Sequence, residues 1–189
     1  MTETTLESRK LAPAVERFVL HWGDMGNQWG VNRSVAQVHA LLYLSDKPLH
    51  AEQICDELGL ARSNVSTALR ELQSYEIVRR THVKGDRRDH FVAETDPWDL
   101  LMKIAAERKR REIDPTIALL AELAQRLAKD DSAPPQLRER VGRMHEFIAT
   151  LATWYEQVRG LPKPTLVTLM KLGGKVARFV SPRHRKQEN

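Results

Sequence analysis

The run from Leu49 to Glu94 constrains this chain more than any other part. His50 to Leu60 reads HAEQICDELGL and Ala61 to Leu72 reads ARSNVSTALREL; then Ile77 to Val83 and Asp89 to Ala93 flank the turn Lys84-Gly85-Asp86-Arg87-Arg88. Ala51 to Leu58 has Ile54, Cys55 and Leu58 on one side, and Gly59 supplies the left-handed residue that lets a helix stop and the chain turn. The next helix is predicted from about Arg62 to Ser74. Val65, Leu69 and Leu72 stand at i, i+4 and i+7 on its core face, so Ser63, Ser66, Thr67 and Arg70 point outward, with Asn64 at the margin. The two β-branched and aromatic runs around a glycine turn predict a two-stranded hairpin. Two short helices joined at a glycine and followed by a basic hairpin are the parts of a winged helix-turn-helix.

The rest of the chain reads as helical. Leu11, Val15, Phe18, Val19 and Trp22 make an amphipathic stripe that Gly23 and Gly26 are expected to end. Ser34 is expected to cap a second helix carrying Val35, Val38, Leu41, Leu42 and Leu44, stopped by Lys47-Pro48. Asp96-Pro97 is a firm start signal, and Asp114-Pro115 repeats it, predicting a kink or a fresh helix. A further helix is expected from about Gln136 to Arg159, then a stiff Leu161-Pro-Lys-Pro linker and a basic helix with a ragged end. The expected fold is therefore mainly α, a winged helix-turn-helix with a small two-stranded wing and a helical dimerisation region. Its expected parts are an N-terminal dimerisation helix (residues 1–33), the winged helix (34–96), a helical dimerisation region (97–160) and a basic tail (161–189).

Charge says where a polyanion would bind. Of the net +5, residues 161–189 hold +6, with seven Lys or Arg against Glu188, so residues 1–160 are close to neutral at −1. Within Arg62 to His90, seven basic side chains face four acidic ones, a local +3. A helix that reads DNA needs short polar side chains near its start, because these let the backbone approach base edges while hydrogen-bonding them. Ser63, Asn64, Ser66 and Thr67 meet that need, Arg62 and Arg70 lie at the two ends of the same face, and Lys84, Arg87 and Arg88 at the wing tip suit flanking phosphates or a narrow minor groove. The expected partner is double-stranded DNA. The competing reading is a winged-helix protein-interaction module whose polar face is merely solvated.

Gly85-Asp86-Arg87-Arg88, after Asn64-Val65-Ser66 and Leu69-Arg70-Glu71-Leu72, resembles the MarR superfamily of regulators. Trp29-Gly30-Val31 ahead of the motif and Ala93-Glu94-Thr95-Asp96-Pro97-Trp98 after it are similar to its GbsR-type branch. The resemblance implies that Asp86 has a structural role, pairing with an arginine to hold the wing tip, and that Arg87 or Arg88 enters the minor groove. It implies a homodimer, more often a repressor, whose terminal helices interleave. The sequence supports the dimer independently: a winged helix needs no more than about Ser34 to Asp96, and the flanking helices have apolar faces without another evident core. A twofold axis would set two reading helices about one DNA turn, roughly 34 Å, apart on a palindromic, inverted-repeat operator. His50 and Ala61 stand where a capping Ser or Thr is usual, so these helix starts are expected to be shifted or weaker by about 1 kcal/mol.

Trp22, Trp29 and Trp98 are candidate ligand-binding residues, since indole faces hold quaternary ammonium groups and the GbsR-type resemblance implies choline-like effectors. The other reading makes them anchors between domains. Cys55 reads as a small core residue rather than a redox switch. No histidine has the spacing of a zinc site, and no phosphate loop, paired carboxylates or nucleophile with a matched base is present, so neither metal, cofactor nor enzymatic activity is expected. Without a secretory signal or an apolar run of about 18 residues, the expected location is the cytoplasm, with no membrane partner.

Overall fold

The structure, a computed structural model, describes residues 11–180, with side chains as far as Leu172. It divides into two units, residues 1–107 and 108–189. Arg183, Arg185 and Lys186 of the basic tail lie outside the described residues, as do residues 1–10.

In the first unit, α1 (Pro13–Gln28) lays its Val15, Phe18, Val19 and Trp22 stripe on the core. It does not end at Gly23 or Gly26, as the sequence suggested, but runs through both. The reason is a close crossing with α2 (Arg33–Leu44). A Cβ at Gly26 would stand 2.5 Å from the Ala36 Cβ, and one at Gly23 would stand 2.7 Å from the Gln37 Cγ. These glycines let two helices touch rather than break one. α2 is capped by Asn32, whose Oδ1 accepts the Ser34 N–H at 2.8 Å, so the cap falls two residues before the expected serine. Val35, Ala36 and Val38 through Leu42 are all buried, which makes α2 the central element.

β1 (Leu49–His50) leads directly into α3 (Ala51–Leu58). His50 corrects the expectation of a weak start. Its Nδ1 accepts the Gln53 N–H at 3.3 Å while its own N–H donates to Gln53 Oε1 at 3.1 Å, a reciprocal capping box built from a histidine. α3 ends at Gly59, which is left-handed. Ala61, by contrast, gives α4 (Arg62–Ser74) no side-chain cap. Val65, Ala68, Leu69 and Leu72 are buried as their spacing predicted, and Val65 meets Val38 and Ile54 among the most completely buried side chains.

The chain leaves α4 through Glu76, whose φ of +58° puts a non-glycine residue in the left-handed region. That conformation costs an L-residue about 1–2 kcal/mol, whereas glycine loses somewhat less through its looser unfolded chain. Glu76→Gly is therefore expected to raise stability by up to about 1 kcal/mol, read as a higher urea midpoint at unchanged slope. A lower midpoint would show that the Glu76 side chain compensates for its backbone.

β2 (Val78–Thr81) and β3 (His90–Ala93) pair antiparallel with Val78 opposite Ala93 and Thr81 opposite His90. β1 adds to the other edge of β3, with Leu49 opposite Phe91, so the expected two-stranded wing of β2 and β3 is joined by a third strand in the order β1-β3-β2. A two-residue strand is too short to show alternation in sequence. Asp96 caps α5 (Pro97–Arg108), accepting the Trp98 and Asp99 N–H groups at 2.9 and 3.0 Å. Glu94 anchors the entry to α5 through a 2.7 Å ion pair with Lys103.

The second unit opens with a π turn, Lys109–Ile113, followed by α6 (Asp114–Ala128), α7 (Pro135–Arg159) and α8 (Lys163–Val180). Pro115 explains the π turn. Its ring lacks an N–H and would crowd the Arg111 carbonyl, so the backbone widens and the Asp114 N–H reaches back to Lys109 O. Lys109 secures it with ion pairs to Asp114 at 2.7 Å and Glu156 at 3.3 Å. α8 starts inside the expected linker, at Lys163. Among the described residues none in α6 or α7 is buried, and Leu119, Met144, Phe147, Leu151 and Trp154 are about half exposed or more.

Candidate nucleic-acid interface

Burying Val65, Leu69 and Leu72 fixes the rotation of α4, and Arg62, Ser63, Asn64, Ser66, Thr67 and Arg70 are consequently all exposed on its other side. Arg70 Nη2 donates to Thr67 Oγ1 at 3.2 Å, which holds the guanidinium along the helix surface. Between this face and the wing lies a cleft of about 380 Å³, lined by Arg62, Ser66, Arg70, Arg80 and Arg88 together with Glu52.

The wing tip is a tight turn closed by the Asp86 N–H to Val83 O at 3.1 Å, with Gly85 at φ +87°. An L-residue with a Cβ rarely adopts that angle, which is why a glycine stands there. Asp86 then folds the next residues back on itself. Its Oδ1 accepts the Arg88 N–H at 3.0 Å and the Arg88 Nε–H at 2.9 Å, and its Oδ2 takes the Nη2–H. The guanidinium, and secondly the Arg88 backbone N–H, hold the Asp86 carboxyl well below the usual carboxylate range. Asp86 thus pairs with Arg88. Of the two arginines that the resemblance left open as the one entering a minor groove, Arg88 is bound at the tip; Arg87 and Lys84 are exposed, with no ion pair among the described residues.

Sequence reasoning missed a layer beneath the tip. His50 and His90 are both buried and meet edge to face, with ring centroids 5.5 Å apart. His90 Nδ1 lies 3.0 Å from Arg88 O, and its Nε2 lies 3.5 Å from Asp86 Oδ2. Burial, followed by the nearby Arg88 and His90, pushes the His50 pKa down. Arg80 is occupied by Asp89 at 3.1 Å. Glu52, on α3, stands 3.9 Å from Arg62 and 3.6 Å from Arg88. The signal available for Glu52 was topological: the start of α3 directly follows the strand that pairs with the returning wing strand.

The tryptophans occupy three places. Trp22 stacks on Phe18 at 5.3 Å and lies 6.2 Å from the His39 ring; Trp29 caps the end of α1 and is 63% exposed; Trp98 sits half-buried in the first turn of α5. Cys55 is half-buried, and burial, then Asp56, pushes its thiol up, away from the thiolate. Among the described residues no group of three or more His, Cys, Asp or Glu is placed to hold a metal, and no helix is long and apolar enough to cross a membrane.

Residues 29–89 match the MarR family. The chain is similar to the HTH-type transcriptional repressor GbsR of Bacillus subtilis (strain 168), 22% identical over 137 residues that cover 70% of this chain and 75% of that one. It is also similar to the HTH-type transcriptional repressor OpcR of the same organism, 21% identical over 146 residues that cover 76% and 79%. The crystal structure of a transcriptional regulator superposes with a TM-score of 0.63 at 23% identity, covering 78% of this chain and 97% of that one, which supports the fold. The helix pair joined at Gly59 and the clamped wing form a winged helix-turn-helix whose residues 29–89 match the MarR family, in a chain similar to transcriptional repressors that include GbsR and OpcR.

Proposed function

We propose that the protein is a homodimeric repressor that binds an inverted-repeat operator, with α4 in the major groove and the wing on the flanking backbone. The observation that carries this reading is that Ser63, Asn64, Ser66, Thr67 and Arg70 form one uninterrupted polar face, exposed beside a basic wing. Short polar side chains and Arg70 suit base edges. Arg62, Lys84 and Arg88 suit phosphates, and Arg87 is the arginine at liberty to enter a minor groove. Dimerisation is favoured by the half-exposed leucines and aromatics of α6 and α7, a density of apolar surface that a second copy would cover. The exposed indole of Trp29 favours a small-molecule effector as the regulator, and the function places the protein in the cytoplasm.

The test is binding to sequences selected from random DNA at about 150 mM salt, together with the mass of the species in solution. A palindromic preference and a dimer are expected. Arg87→Ala should weaken binding to every sequence by about tenfold and reduce the salt slope by about 1, whereas Asn64→Ala should change which bases are preferred. A monomer without sequence preference, indifferent to Arg87→Ala, would instead favour a protein-interaction module.

A further inference from the structure

We infer that Glu52 is an affinity-setting carboxylate, a built-in competitor that withholds Arg62 and Arg88 from DNA phosphates. The inference rests on the DNA-binding reading above and deepens it. Glu52 is the second residue of α3, half exposed, and lines the cleft between α4 and the wing. Its two oxygens face opposite walls. Oε1 is 3.9 Å from Arg62 Nη1 at the start of α4, and Oε2 is 3.6 Å from Arg88 Nη1 on the wing. Arg88 gives its Nε and Nη2 to Asp86, so Glu52 takes the remaining edge of the same guanidinium.

The cleft is consequently less cationic than its arginines suggest. Arg80 is matched by Asp89, Arg88 by Asp86 and Glu52, and Arg62 by Glu52. A phosphate entering the cleft meets a carboxylate across a short distance and has to draw the arginines from it. Attraction to the DNA backbone carries no sequence information and acts on every duplex, so a carboxylate that offsets it weakens binding to operator and random DNA alike. Base-edge contacts from Ser63, Asn64, Thr67 and Arg70 are left untouched, because Glu52 faces none of them among its ion pairs. The long separations matter here. At 3.6–3.9 Å, with half the carboxylate in water, Glu52 does little to hold the fold, and the α3 cap belongs to His50 and Gln53 instead.

The experiment compares the full-length protein and Glu52→Gln on the selected operator and on a random duplex of equal length, over a salt series, with melting temperature as a control. Expected for Glu52→Gln are about fivefold tighter binding to both the operator and the random duplex, a salt slope steeper by about 1, an operator-to-random ratio close to that of the parent, and a melting temperature within about 2 °C of the parent. In an Arg62→Ala/Arg88→Ala background the gain from Glu52→Gln should shrink to less than about half. Unchanged or weaker random-duplex binding by Glu52→Gln overturns the inference while leaving the DNA-binding reading intact. A gain undiminished without the two arginines overturns it as well, because Glu52 would then act through something else. If the unsubstituted protein binds neither duplex, the DNA-binding reading falls and takes this inference with it.

Discussion

Between pH 6.5 and about 4 the protein is expected to lose about 3 kcal/mol of folding stability through His39 alone. His39 sits on the buried side of α2 with 4% of its surface exposed, between the rings of Trp22 and Tyr43, and its Nε2 has no hydrogen-bond partner among the described residues. Burial drives its pKa down from 6.5 to about 4. The direction follows from which state takes the proton first. Below pH 6.5 the unfolded chain is protonated at this position while the folded chain stays neutral, so each pH unit removes up to about 1.4 kcal/mol until the folded form titrates as well. The stability is therefore complete above pH 6.5 and is lost as the pH falls towards 4. His50, also depressed by burial, acts in the same direction. Asp86 contributes little in this window, because the unfolded carboxyl, with its ordinary value of 3.8, also stays largely charged until the pH nears 4, and the stability held by the depressed folded carboxyl is lost below that. Urea unfolding of the parent and of His39→Leu at several pH values separates the sources. The variant should come within about 1.5 kcal/mol of the parent at pH 7, since the volumes are similar and an unsatisfied nitrogen is removed, but should lose most of the acid slope. An unaltered slope would mean that His39 finds a partner or water that the folded core does not reveal.

His39 also illustrates which features the sequence made legible. The stripe of Val65, Leu69 and Leu72 announced both a helix and its outward face, because a period of 3.6 relates burial directly to orientation. The wing turn was equally clear, since Lys84-Gly85-Asp86 has the residue that a left-handed backbone requires. What escaped depended on a partner distant in sequence. Gly23 and Gly26 look like helix breakers until Ala36 and Gln37 are brought against them. His50 looks like a poor cap until its ring nitrogen meets the Gln53 N–H. β1 exists because β3 passes beside it. Asp86 was expected to grip an arginine, but the choice between Arg87 and Arg88 turns on a backbone N–H that only a folded tip presents. In the second unit the apolar faces of α6 and α7 followed from spacing.

Asp86→Ala is expected to weaken operator binding by about 30-fold with little change in the melting temperature. Asp86 closes the tip three ways: its backbone N–H completes the turn to Val83, one oxygen accepts the Arg88 N–H, and both oxygens accept the Arg88 guanidinium. Losing the side chain leaves residues 84–88 held by the backbone turn alone, so Arg87 and Arg88 have to be ordered at the moment of binding instead of beforehand. Arg88→Ala breaks the same brace, and the double variant should be scarcely worse than either single one, as partners in one interaction require. A purely electrostatic view predicts the reverse for Asp86→Ala, because deleting a carboxylate near DNA should tighten binding. Glu52 makes the contrast decisive. It has the same charge and borders the same arginine, but at 3.6 Å it braces no backbone, so its removal should strengthen binding to any duplex. Two neighbouring carboxylates, replaced one at a time, should thus move affinity in opposite directions. Tightening in both variants would mean that the wing holds DNA by charge alone and that the geometry of its tip is incidental.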